Sequence, residues 1–194
     1  MNNNNAKEWL DRGQELDDLG KYDEAIKCYV KAIEINPEDD YAWFNQGNAL
    51  DDLGKYDEAI KCFDKAIEIK PEDGSVWYNK GNTLDKLGKY DEAIKCYDKA
   101  IEINPEFGGP WNNKGSALVD LGKYGEAMKC FDKAIELIPE DGQPWSNKGN
   151  TLIGLGKYDE AIKCYDKALE LCPQYVDAMK GKELCLSSMK VSAS

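Results

Sequence analysis

The sequence predicts an all-α protein built as a stack of antiparallel helical hairpins, and three observations carry that reading. Trp9, Trp43, Trp77, Trp111 and Trp145 stand 34 residues apart, and Gly13, Gly47, Gly81, Gly115 and Gly149 keep the same interval. A second block, KYDEAIKCYVKAIEINP from Lys21, returns as KYDEAIKCFDKAIEIKP from Lys55 and as KYDEAIKCYDKAIEINP from Lys89. Each unit has room for two helices, separated by a glycine and closed by a proline. A fixed period of this length marks a repeat architecture, whose units bury their apolar faces only against one another.

In the first unit Trp9, Gly13 and Leu16 are spaced by four and three, which puts them on one helix face. Leu19-Gly20 then supplies a left-handed helix end. The second helix opens near Asp23, where Asp23 and Glu24 suit the positive end of the helix dipole. Tyr22, Ala25, Ile26, Tyr29, Ala32 and Ile33 form its apolar side. Asn36-Pro37 ends it, because proline cannot continue a helix and restricts the residue before it. Asp23 and Lys27 form an i, i+4 pair worth a few tenths of a kcal/mol, repeated in four units and lost at Gly125.

This spacing divides the chain into units at 6–39, 40–73, 74–107, 108–141 and 142–175, then a closing helix over 176–190. Residues 1–5 and 191–194 read as disordered tails. In the closing helix Met179, Leu186 and Met189 fall where a full unit has Trp, Leu and Leu, and Glu183 occupies the glycine column. A glutamate there blocks close approach of a further helix, so this segment reads as the cap that covers the last apolar face.

Composition narrows the function. The 194 residues are 42% hydrophobic and 32% charged, with 25 basic and 37 acidic side chains and a net charge of −12. That is too apolar for a disordered acidic chain. The acidic balance argues against nucleic acid, which needs a basic footprint, and against an anionic membrane surface. The start, Met1-Asn2-Asn3-Asn4-Asn5, lacks the segments of a secretory signal, so a cytoplasmic location is expected. Cys28, Cys62, Cys96, Cys130 and Cys164 recur once per unit; stacked helices hold such a column roughly 10 Å apart, beyond disulfide reach. They read as small buried hydrophobes. No histidine is present, which removes His-based acids, triads and metal ligands. No phosphate-binding glycine loop occurs either, so neither catalysis, a cofactor nor a metal is expected. At most, Asp17 and Asp51 would hold a Ca²⁺ or Mg²⁺ ion loosely and incidentally.

Trp9-x3-Gly13, the Leu19-Gly20-x-Tyr22 turn, Ala25, Tyr29, Ala32 and Pro37, with their equivalents in all five units, resemble the tetratricopeptide repeat family. The wording of the repeats is similar to repetitive members from methanogenic archaea. One departure is the column Arg12, Gln46, Lys80, Lys114, Lys148, where the family often has leucine. Long stems there can cover apolar surface while the charge reaches water. The resemblance implies a right-handed superhelical stack whose concave side is lined by the first helix of each unit. It also implies a protein or peptide partner.

Helix geometry then assigns the lining. One column contains Leu10, Phe44, Tyr78 and Asn112; the next contains Gln14, Asn48, Asn82, Ser116 and Asn150. A third contains Asp17, Asp51, Asp85, Val119 and Ile153, and beside them run Asn45, Asn79, Asn113 and Asn147. Asparagine columns suit the backbone amides of an extended peptide, or else serve hydrogen bonds between helices. Aspartates gather in the early units and apolar side chains in the late ones, so the expected guest is basic toward the first repeats and apolar toward the last. Family members that grip a chaperone carboxylate use two lysines, an arginine and two asparagines from three consecutive units. Here Phe44 and Gly109 stand at the lysine positions and Asn113 at the arginine position, so that clamp is not expected. The near-identity of the units leaves a second reading, a structural array stacking end to end, and the expected state is a monomer or a weakly self-associating chain.

Overall fold

The computed structural model describes residues 3–192, with side chains from 5 to 190, and places eleven α-helices and no strand among them. The chain forms two compact units. The first, Met1–Asn104, holds α1 (Asn3–Asp18), α2 (Tyr22–Ile35), α3 (Asp40–Asp52), α4 (Tyr56–Ile69), α5 (Gly74–Lys86) and α6 (Tyr90–Ile103). The second, Pro105–Ser194, holds α7 (Gly108–Asp120), α8 (Tyr124–Leu137), α9 (Gly142–Gly154), α10 (Tyr158–Leu171) and α11 (Val176–Ser192).

Of the tails expected at 1–5 and 191–194, Asn3 to Asn5 belong to α1 and Val191 and Ser192 to α11; the other residues lie outside the described ones. Helix formation extends there because nothing in Asn3–Asn5 breaks the i to i+4 ladder that the following turns begin.

Within the first unit each hairpin closes on an aromatic ring seated against a glycine. The ring of Phe63 lies over Gly47 and that of Tyr97 over Gly81; a Cβ built on either glycine would lie 2.6 Å from the ring. An alanine there would have to displace a fully buried ring, which costs about 1–3 kcal/mol in a tightly packed core. The turn between the helices uses a different glycine property. Gly20, Gly54 and Gly88 have φ near 71–72°, and Lys21 N–H donates to the Leu16 carbonyl at 2.8 Å, the six-to-one bond of a Schellman helix end.

Between hairpins the link is the indole. Trp43 Nε1 donates to the Pro37 carbonyl and Trp77 Nε1 to the Pro71 carbonyl, both at 2.9 Å. Each tryptophan thereby ties its helix to the loop that leads into it. Asp39 and Asp73 cap α3 and α5 by accepting from the Ala42 and Ser75 N–H groups. The charged column that departs from the family pattern also has work to do. Lys80 reaches past Trp77 to Asp64 of α4 at 2.6 Å, so its charge is paired as well as its stem buried. Asp23 meets Lys55 of the next turn at 3.7 Å instead of its helix neighbour Lys27.

The second unit repeats these devices, with Phe131 over Gly115, Tyr165 over Gly149, and Trp111 bound to the Pro105 carbonyl. Its closing helix covers α10 by a face the sequence reading did not choose. Ala178 and Cys185 are fully buried and Gly181 lies against the Tyr165 ring, whereas Met179 and Leu186 are 39% and 45% exposed. The reason is register. Ala178 and Cys185 continue the columns Pro144 and Thr151, which meet the preceding helix. Met179 and Leu186 continue Trp145 and Leu152, which meet a following one.

All seven cysteines are free thiols. Burial pushes Cys62 up to about 12 and Cys96 up to about 11, with Glu58 adding to the first, so these thiols stay protonated and unreactive. Two outcomes test this packing. Native protein treated with a chromogenic disulfide reagent should show one fast thiol, exposed Cys172, and release the rest only on unfolding. Deleting residues 174–194 should uncover Tyr165 and lower both melting temperature and solubility, read by calorimetry and light scattering; a truncation as stable as the full chain would refute the cap.

Candidate functional site

In the first unit α1, α3 and α5 lie side by side, so their outer columns form one face. Leu10 is half-buried and packs on Ala32 and Ala25 clusters, which makes it as much core as surface. Phe44 sits 6.2 Å, centroid to centroid, from the Phe63 ring and 6.3 Å from Tyr41, with which it stacks. Tyr78 stands at 6.1 Å from Tyr97 in the same way. These rings are the outward continuation of the glycine-seated rings beneath them.

The amide column forms struts between neighbouring first helices. Asn79 Nδ2 donates to Asn48 Oδ1 at 3.0 Å, tying α5 to α3. Asn82 accepts from the Tyr97 hydroxyl at 3.0 Å. Asp51 is engaged too: Thr83 donates to its Oδ1 at 2.8 Å and Lys86 pairs with its Oδ2. Asp85 lies half-buried on the same column.

The strut fails once, at Gln14. This residue holds the column position of Asn48 and Asn82, but its longer side chain reaches the Tyr41 hydroxyl instead, at 3.1 Å. Asn45 Nδ2 and the Tyr29 hydroxyl, which face that position, are buried and make no hydrogen bond within the protein. Asp17 Oδ1 is in the same condition. The carboxyl of Asp17 is held above its ordinary range, first by burial and then by the charges of Asp52 and Asp18; the Tyr29 phenol beside it opposes the shift without forming a well-aligned hydrogen bond. Tyr29 is itself raised, by burial and by Asp17. This corner is thus negative, under-satisfied and bordered by the stacked pair Tyr41 and Phe44.

In the second unit α7 and α9 present a less charged face of their own. Asn147 Nδ2 donates to Asn112 Oδ1 at 3.0 Å and approaches Ser116 Oγ at 3.4 Å; Asn112, buried, donates in turn to Asn113 Oδ1. Asn150 accepts from the Tyr165 hydroxyl at 2.7 Å. Between these helices opens a cavity of about 160 Å³, lined by Ser116, Val119, Asp120, Phe131, Asn147, Asn150 and Thr151. Its walls offer methyl groups, a ring edge, two amides and, from Asp120, a carboxylate. That volume suits one apolar side chain. Groups of His, Cys, Asp or Glu arranged to hold a metal ion are absent among the described residues.

Sequence reasoning missed Tyr41, Thr83 and Lys86 and read Tyr29 as plain core. The signal for Tyr29 and Tyr41 was present as the single glutamine in a column otherwise of Asn and Ser.

The tetratricopeptide repeat family matches residues 10–74, and again 75–107, 110–141 and 143–175. The chain is a tetratricopeptide repeat protein. Tetratricopeptide repeats are general protein-interaction scaffolds, and the fold is typically non-catalytic. The crystal structure of YrrB, a tetratricopeptide protein with an unusual peptide-binding site, is 25% identical; TM-score 0.74, covering 90% of each chain. A tetratricopeptide protein from Parabacteroides merdae is 19% identical with a TM-score of 0.84, covering 98% of this chain and 75% of that one. MamA from Desulfovibrio magneticus is 22% identical with a TM-score of 0.81, covering 89% of this chain and 97% of that one. The latter two show the shared fold alone, and none of the three supports the archaeal likeness. Comparison with curated protein sequences finds no match. No helix among the described residues of this tetratricopeptide protein is long and apolar enough to cross a membrane.

The raised Asp17 has a consequence for stability. An acid whose pKa is higher folded than unfolded favours folding while protonated, and its contribution is lost as pH rises above the ordinary carboxylate value. Asp17→Asn should therefore raise the melting temperature at pH 7 and lose that advantage below about pH 4, followed by circular dichroism across the pH range.

Proposed function

We propose that this tetratricopeptide protein is a non-catalytic scaffold that holds a segment of another protein on the first-helix faces of its repeats. In the first unit the α1–α3 corner suits basic side chains; in the second, taken by itself, the cavity between α7 and α9 suits an apolar side chain. The observation that carries this reading is the electrostatic state of the corner. Asp17, Asp18 and Asp52 crowd together beside exposed aromatic surface, and bringing a cation there relieves both the repulsion and the burial cost of Asp17. Attraction of this kind speeds encounter and fades with salt. The asparagines already engaged in struts supply rigidity to the face. The absence of histidine and the repeating, solvated placement of the carboxylates favour binding over catalysis. A cytoplasmic location agrees with the many free thiols.

Stacking of copies end to end is the weaker reading. Where inner repeats put buried Ala42 and Ala49 against the preceding helix, α1 has exposed Glu8 and Glu15. At the other end Glu183 fills the glycine column. Repeat-register stacking would bury those carboxylates without partners, a cost that apolar contact does not offset.

The test is fluorescence anisotropy with a labelled peptide of two lysines followed by leucines. Asp17→Asn/Asp52→Asn should weaken binding by about tenfold at low salt, and raising the salt should shrink the difference. Equal affinity for both proteins discards the basic-guest assignment, and a molecular mass that grows with concentration in light scattering would revive the stacking one.

A further inference from the structure

Five rings sit on the five repeat glycines, and their hydroxyls sort into three conditions. Phe63 and Phe131 have none. Tyr97 and Tyr165 donate theirs to the amide oxygens of Asn82 and Asn150, at 3.0 and 2.7 Å. Tyr29, fully buried as a residue, has a hydroxyl with no amide partner and only the Asp17 carboxylate beside it, poorly aligned for a hydrogen bond. The cause is one methylene. Gln14 stands where the asparagine would be, and its amide is carried away to Tyr41. The same change strands Asn45 Nδ2 on α3, whose counterpart Asn79 bonds Asn48.

A buried hydroxyl without a well-aligned partner is costly, and repeats three and five show that this sequence family of units already holds the cure. At the uncured position a carboxylate oxygen, Asp17 Oδ1, is also buried and unbonded. Two acceptors therefore converge, one anionic and one neutral, with Asp18 and Asp52 adding negative potential around them. The rings of Tyr41 and Phe44, stacked at 6.3 Å, flank the approach; Tyr41 is about half exposed.

From this we infer that the Gln14, Asp17, Tyr29 and Tyr41 corner is a subsite for a primary ammonium group, that of a lysine side chain on the bound segment. The inference rests on the scaffold reading above and narrows it. Three ammonium hydrogens suit two separate acceptors, Asp17 Oδ1 and Tyr29 Oη, better than a guanidinium fork does, since the fork prefers both oxygens of one carboxylate. The lysine stem runs over the aromatic pair, where its methylenes find apolar surface and its charge a ring face. The phenol stays protonated throughout, its hydrogen free to turn toward Asp17 as its oxygen accepts from the guest.

The experiment compares three probes: an N-acetylated peptide with one lysine followed by leucines, the same peptide with Nε-acetyl-lysine, and n-butylammonium chloride alone. Each is titrated into wild type, Gln14→Asn and Tyr29→Phe, with backbone amide NMR shifts as readout. Gln14→Asn restores the short amide, so the Tyr29 hydroxyl and Asn45 regain partners. Its melting temperature should match or exceed wild type while its affinity for the lysine peptide falls about tenfold. Tyr29→Phe should weaken the lysine peptide likewise and leave the acetyl-lysine peptide unchanged. If lysine and acetyl-lysine peptides bind wild type equally, or Gln14→Asn binds the lysine peptide as tightly as wild type, the subsite is wrong and the scaffold reading survives. If neither peptide binds but butylammonium shifts the Gln14 and Asp17 amides in wild type and not in Gln14→Asn, the subsite stands and the scaffold reading falls.

Discussion

Every hairpin depends on one contact, an aromatic ring on the second helix lying directly on a glycine of the first. The ring needs the glycine because any Cβ would occupy its volume, and the glycine needs the ring because a bare helix backbone otherwise faces a void. Close seating brings the two helices near enough for Ala25, Ala59 or Ala93 to pack without a gap. From there the first helices come to lie side by side, and their outer columns become a face. The functional surface is therefore a by-product of how the interior closes.

Most of that was legible in the residues. Trp-x3-Gly, Leu-Gly-x-Tyr and Ala-x3-Tyr each have a local physical meaning, and their repetition multiplies the signal. Three things were hidden. The indole bond to the proline carbonyl joins residues six apart across a loop, where no helical or strand period applies. The pairing of Lys80 with Asp64 crosses from one hairpin to the next, so helix spacing alone gives no hint of it. The closing helix carries its more hydrophobic stripe at Met179 and Leu186, yet it buries Ala178 and Cys185, because the face that has a neighbour wins over the face that is more hydrophobic.

The candidate site was only partly legible for a related reason. Columns of Asn and Asp were easy to list, but whether each side chain is spent on its neighbour or available to a guest depends on lengths of single bonds. Asp51 is spent on Thr83 and Lys86, while Asp17, one unit earlier in the same column, is not. In a chain of near-copies the informative positions are those that break a column, and Gln14 breaks two hydrogen bonds at once.

The chemistry of the two outer faces bears on how such a chain grows. An extra 34-residue unit placed between existing hairpins would meet an alanine-bearing second helix before it and, after it, a first helix presenting small residues such as Ala42 and Ala49, and could be accommodated without altering a neighbour. A unit added beyond α11 would meet the Glu183 side chain, and one added before α1 would press on Glu8 and Glu15. Lengthening by internal duplication is thus sterically and electrostatically open, whereas extension at either margin first requires those three carboxylates to be replaced.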